Sequence, residues 1–187
     1  MDVTVTCTPP ASVNATLLPV YSGYISISDA SANNTLVLPY LGIVGSMRST
    51  HVAVPSLVYL ASDYSHVPAN TSYTIPRPDP ENPPAPDRGD QGSQPNLYME
   101  LIVGSSQVHV EVLQGGKELG ALAGSPLMYL PRGESRIYFN GLLADGTVLE
   151  EGTYSLRAKA LRIFGDGAKE EDWDVNETVA FNVKYAS

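Results

Sequence analysis

The chain has 187 residues, 43% of them hydrophobic, with 20 Asp and Glu against 11 Lys and Arg, a formal net charge of −9. That length gives one domain a sizeable core, and no run approaches the roughly 20 apolar residues of a membrane span. So acidic a chain repels phosphate backbones and anionic lipid, which argues against nucleic acid and membrane as partners. Val, Ile, Thr and Tyr recur in short runs, and 16 Gly and 15 Pro supply turns. This is the composition of an all-β domain of short strands.

Residues 3–7, Val-Thr-Val-Thr-Cys, alternate and predict a first strand. Cys7, the only cysteine, reads there as a small buried hydrophobe. Pro9 and Pro10 end the strand, because proline cannot donate to a ladder. Residues 20–29 predict a second strand, with Tyr21, Gly23, Ile25 and Ile27 on one face, and residues 30–34 a turn. Residues 36–45 are apolar almost throughout, as a strand covered on both sides would be, while Pro39 bends the run or places it at an edge. Tyr40, Leu41 and Ile43 on this run form a candidate docking face. Short apolar runs follow at 57–60 and 73–75. Residues 76–95, with prolines at 76, 78, 80, 83, 84, 86 and 95, have little to bury and predict a long, mobile, Pro-rich surface loop inserted in the domain.

Residues 97–103 and 107–113 predict strands. In the second, Val108, Val110 and Val112 face one way, and His109 and Glu111 the other. Gly115-Gly116 marks a hairpin turn, and 117–122 the return. A strand at 135–140 and a turn at Asp145-Gly146 lead to residues 152–163, where alternation is strictest. Tyr154, Leu156, Ala158 and Ala160 share one face, and Ser155, Arg157 and Lys159 the other. Leu149 and Tyr154 match a tyrosine corner, in which a Tyr at the start of a strand bonds back to the preceding loop. Residues 166–177 read as an acidic excursion carrying the only Trp, Trp173. Residues 178–185 close the chain, with Val179, Phe181, Val183 and Tyr185 inward. These eight or nine strands predict a fibronectin III- or immunoglobulin-like antiparallel β-sandwich, a single domain over residues 1–187.

Chemistry-bearing patterns are sparse. His51, His66 and His109 stand in no zinc-ligand spacing. Asp166, Glu170, Glu171, Asp172 and Asp174 lack the loop register that gathers oxygens around calcium, and a solvated acidic loop is the simpler reading. Ser46, in Gly45-Ser46-Met47, is followed by Arg48-Ser49-Thr50 and lacks the base and orienting acid that a serine nucleophile requires. No catalytic residue, metal or cofactor is assigned. Asn14, Asn33, Asn70 and Asn176 each begin an Asn-X-Ser/Thr sequon. As a set these glycosylation candidates favour a secreted, extracellular protein. Met1-Asp2-Val3 does not open a signal peptide, so the chain reads as a piece of a longer secreted protein.

Two stretches carry more than class-level pattern. Leu18-Pro19-Val20-Tyr21-Ser22-Gly23-Tyr24-Ile25, followed by Val37-Leu38-Pro39-Tyr40-Leu41-Gly42-Ile43-Val44-Gly45-Ser46, resembles the C-terminal fibronectin III-like domain of fungal secreted subtilisin-like serine proteases. So does the run from Ala158 to Asp166, with Glu171-Asp172-Trp173-Asp174-Val175 and Phe181-Asn182-Val183-Lys184-Tyr185. The resemblance implies a non-catalytic accessory domain. Its partner would be the subtilisin catalytic domain of the same parent chain, and it would stabilise that domain or contact a protein or cell-wall substrate. The Asp, His and Ser protease motifs are absent from this sequence. The alternative is a free-standing secreted binding protein: an adhesin, a carbohydrate-binding module or an effector.

Overall fold

The computed structural model describes residues 4–6, 8, 11–29, 34–62, 65–81 and 94–186. They fall into two compact units, Met1–Thr50 and His51–Ser187.

The first unit is a β-ribbon of β1 (Val20–Asp29) and β2 (Asn34–Ile43), paired antiparallel. Opposed residues of an antiparallel pair share a face. Ser22 and Tyr24 thus lie beside Leu41 and Pro39, and Tyr21 and Gly23 beside Gly42 and Tyr40. Each tyrosine covers the glycine opposite. A Cβ at Gly23 would stand 2.6 Å from the Tyr40 hydroxyl oxygen, and one at Gly42 would overlap the Tyr21 ring. Both strands are edges of this two-stranded sheet, where Pro39 is tolerated. The coverage expected for residues 36–45 is not found. Leu36, Val37, Leu38, Leu41 and Ile43 are exposed, Leu41 to 75%. An unbroken apolar run looks the same in sequence whether its two faces are both covered or both open. Residues 4–6 are exposed and form no strand, unlike the strand expected at 3–7; Cys7 lies outside the described residues.

The second unit is a sandwich. Its strands are β3 (Val58–Ser62), β4 (Ser65–His66), β5 (Thr71–Ile75), β6 (Asn96–Leu101), β7 (Ser105–Gln114), β8 (Lys117–Ala121), β9 (Leu127–Leu130), β10 (Gly133–Tyr138), β11 (Gly152–Leu161), β12 (Trp173–Glu177) and β13 (Phe181–Tyr185). One sheet runs β10-β6-β3-β4. The other runs β5-β13-β11-β7-β8, with β12 also on β11 and β9 on β7. Pairing is antiparallel except for β5 with β13, which is parallel. Leu60, Leu97, Met99 and Ile137 from the first sheet meet Val108, Val110, Val112, Leu156, Ala158, Phe181 and Val183 from the second in one buried core. The side-chain period of two sets these inward faces. Phe181 is packed edge-on by Phe139 and Tyr73, with ring centroids 5.1 and 6.1 Å away.

The tyrosine corner is present: the Tyr154 hydroxyl donates to the Glu150 carbonyl at 2.6 Å. Beside it the Tyr185 hydroxyl donates to the Leu149 carbonyl at 2.7 Å. That contact passes over Gly141, where φ is +77° and a Cβ would come within 2.5 Å of the hydroxyl oxygen, so only glycine fits without strain. The short strands β4 and β9 have too few residues to show a period. Val179 is exposed rather than inward, because β13 begins only at Phe181. Of the Pro-rich stretch 76–95, residues 82–93 lie outside the described residues.

Candidate functional site

β12 forms inside the stretch that reads as an acidic excursion, and its polarity is inverted. Asp174 and Asn176 point inward and are buried, while Val175 between them is exposed. A buried carboxylate must find partners. Asp174 Oδ2 accepts from the backbone N–H of Val52 at 2.6 Å and of Ala53 at 3.2 Å. Oδ1 accepts from Arg162 Nε at 2.8 Å and meets His51 Nδ1 at 2.6 Å. Asn176 Nδ2 donates to the Ala53 carbonyl at 3.3 Å. Burial alone would raise the Asp174 pKa. The bonds from His51, Ala53, Arg162 and Val52 outweigh it and hold the carboxyl below its ordinary range. Four of these bonds clasp residues 51–53 onto the sheet, and the fifth, from Arg162, braces the carboxylate. An aspartate on a histidine is half of a nucleophile-activating set, but among the described residues no hydroxyl or thiol is hydrogen-bonded to His51, whose partners are Asp174 and Arg162.

The outward face of the same sheet carries a denser set of groups. Register places Arg157 opposite Glu111 on β7 and Glu177 on β12, and Lys159 opposite His109 and Val175. Lys159 Nζ reaches Glu111 Oε1 at 3.2 Å. Arg157 stands 3.6 Å from Glu111 Oε2, 3.9 Å from Glu118 and 3.5 Å from Glu177. Trp173 roofs this row: Lys159 Nζ lies 5.8 Å from its ring centroid, and the His109 ring meets it edge-on at 5.1 Å. Burial pushes the His109 pKa down, the Lys159 charge pushes it further, and Glu111 only partly opposes them. The site thus favours the neutral form of the His109 ring. Glu111, Glu118, Arg157, Lys159, Glu170, Trp173 and Val175 line a groove of about 290 Å³, near the lower end for small-molecule pockets.

A third feature is a cross-strand stack on the other sheet. Tyr59 and Tyr98, directly opposite each other, stack at 4.6 Å and 20°. His66 flanks Tyr59 at 5.2 Å, and Arg136 lies over Tyr98 at 5.8 Å. Burial, with Glu134 accepting from the hydroxyl, pushes the Tyr98 pKa up to about 12.

The residues singled out in sequence are scattered. Tyr40 lies on the opposite face of β2 from Leu41 and Ile43, so the three do not make one docking surface. Ser46 opens a turn in which its carbonyl accepts from Ser49 Oγ and Thr50 Oγ1, both at 3.0 Å. The five acids do not converge: Asp174 serves the clasp, and Asp172 accepts from the Asp166 backbone N–H at 2.8 Å. Among the described residues no cluster of three potential metal ligands forms. Asn14 is exposed, its Oδ1 accepting from Thr16 N at 3.0 Å and Thr16 Oγ1 at 2.8 Å. Asn70 is exposed in a turn at φ +63°. Asn33 lies outside the described residues. Asn176 is buried with its amide nitrogen engaged, so a glycan there would have to break the clasp.

Compared with known proteins, the chain matches no protein family and no curated sequence.

Proposed function

We propose that the chain is a non-catalytic accessory module of a secreted, extracellular fungal subtilisin-like serine protease, docking on and stabilising the catalytic domain of its parent. The reading starts from the resemblance of residues 18–25 and 37–46 to that family's fibronectin III-like domain. The observation that carries it is the open apolar face of β2. Val37, Leu41 and Ile43 lie on one side with Val20 and Tyr24 of β1, and all five are exposed. A two-stranded ribbon is marginal by itself in water, and contiguous exposed apolar surface marks a contact site.

The test places Leu41→Lys and Ile43→Lys, separately, in the full protease and in this chain. The expected result is an unchanged melting temperature of the chain and a lowered thermal inactivation temperature of the protease. Unchanged inactivation in both variants overturns the reading. A free-standing secreted binding protein is the second reading, favoured by the charged groove beneath Trp173.

A further inference from the structure

We propose that the groove on the outward face of β7, β11 and β12 is a binding site for a neutral saccharide. The site does not depend on whether the chain works beside a protease. Three observations carry it.

The first is a buried carboxylate oxygen that accepts no hydrogen bond and has Arg157 only at ion-pair distance, 3.6 Å. Glu111 is 8% exposed, and its Oε2 accepts no hydrogen bond, although it lies on the wall of the groove. Buried polar atoms are normally satisfied, so this oxygen can take a further donor from the groove, water or a ligand hydroxyl. The second is the looseness of the ion pairs. Arg157 is shared among three carboxylates at 3.5, 3.6 and 3.9 Å, well beyond the roughly 2.7–2.9 Å of a charge-assisted hydrogen bond. These pairs are too long to be strong hydrogen bonds, so a hydroxyl set beside one of them can give to the carboxylate and accept from the guanidinium. The third is the wall. Trp173 and Val175, the latter 52% exposed, give the groove an apolar side above its charged floor.

This set selects the ligand. A free anion is repelled by Glu111, Glu118 and Glu170. A cation competes with Arg157 and Lys159, which already occupy the carboxylates. A hydroxyl is donor and acceptor at once, so it can give to Glu111 Oε2 while accepting from Arg157. A pyranose presents several such hydroxyls around its rim and C–H groups on its face. The rim suits the floor and the face suits Trp173 and Val175. A groove of about 290 Å³ admits one or two sugar units rather than a long chain section.

Trp173 is the only tryptophan in the chain, so its emission reports this site alone. The experiment titrates the chain with cellotriose, laminaritriose, mannotriose and triacetylchitotriose, with trilysine as the competing class, and confirms each response by calorimetry. The expected result is a saturable emission change with at least one trisaccharide. That affinity should fall about tenfold or more in Glu111→Gln, which removes the charged acceptor. It should also fall in Val175→Lys, an exposed position whose change spares the fold, so this variant decides if Glu111→Gln does not fold. Three outcomes overturn the proposal: no response to any sugar at about 10 mM, a response that both variants leave intact, or binding of trilysine in place of the sugars.

Discussion

Replacing Asp174 by Asn tests whether the clasp is held by charge or by shape. The change is isosteric, so packing is conserved. The amide oxygen can still accept from Val52 N and Ala53 N, now 2.6 and 3.2 Å from Oδ2. The amide nitrogen then faces Arg162 Nε and His51 Nδ1, where a carboxylate oxygen stood at 2.8 and 2.6 Å. Arg162, whose side chain is 22% exposed, loses its carboxylate and meets a second donor. Breaking one partner out of a buried ion pair costs about 3–5 kcal/mol. The partial exposure of Arg162 lets water recover some of this, which gives about 3 kcal/mol. For a unit the size of His51–Ser187 that lowers Tm by roughly 10 °C. The assay is thermal unfolding followed by circular dichroism from neutral to acid pH. Because the folded-state pKa of Asp174 is depressed, its contribution is complete above the unfolded value of about 3.9 and is lost as pH falls through the lower folded value. The gap between the native chain and Asp174→Asn should hold steady at neutral pH and close below about pH 4. A Tm within about 2 °C of native at pH 7, or a gap that does not narrow in acid, refutes the reasoning.

Phe181→Ala should destabilise by about 3–5 kcal/mol, because Phe181 is fully buried between Phe139 and Tyr73; an unchanged Tm would show that the two sheets do not close on it. Tyr154→Phe should cost about 1 kcal/mol through loss of the corner bond to Glu150, measured as a shift in denaturant midpoint. Secreted from a glycosylating host, the chain should carry glycans at Asn14 and Asn70 and none at Asn176; a glycopeptide mapped to Asn176 in folded protein would contradict its burial. A broad serine-hydrolase probe should leave Ser46 unlabelled, since Ser46 is placed as a turn former, and stoichiometric labelling would reverse this.

The fold was legible where a strand has one wet face and one dry. In β7 and β11 the alternation marks Val108, Val110, Val112, Leu156 and Ala158 as inward, and all are buried. Tyr154 was legible too, because its bond is local, four residues back along the chain. Legibility fails for β2, whose apolar run has no period to say which side is covered. It fails for β12 because Asp174 and Asn176 break the rule that polar residues face out. Asp174 takes donors from the backbone N–H groups of Val52 and Ala53, 122 and 121 residues away, and Asn176 donates to the Ala53 carbonyl; no side-chain pattern encodes such backbone partners.

The groove sets a stricter limit. Alternation alone puts Arg157, Lys159, His109 and Glu111 on outward faces, and charged residues on outward faces are expected of any soluble sheet. Their meaning lies in register. Arg157 falls between Glu111 and Glu177, and Lys159 between His109 and Val175, because β7 and β12 pair with β11 at those offsets. A one-residue slip of either strand would turn its outward set into the core. The core therefore fixes the register, and the register assembles the site. Phe181→Ala, which acts on the inward face, leaves these pairings in place while the unit stays folded. A slip in β12, by contrast, would lose the Asp174 clasp and the Trp173 wall together, since Asp174 and Trp173 are neighbours on opposite faces of one strand. The clasp on the inside and the groove on the outside are thus set by the same five residues of β12.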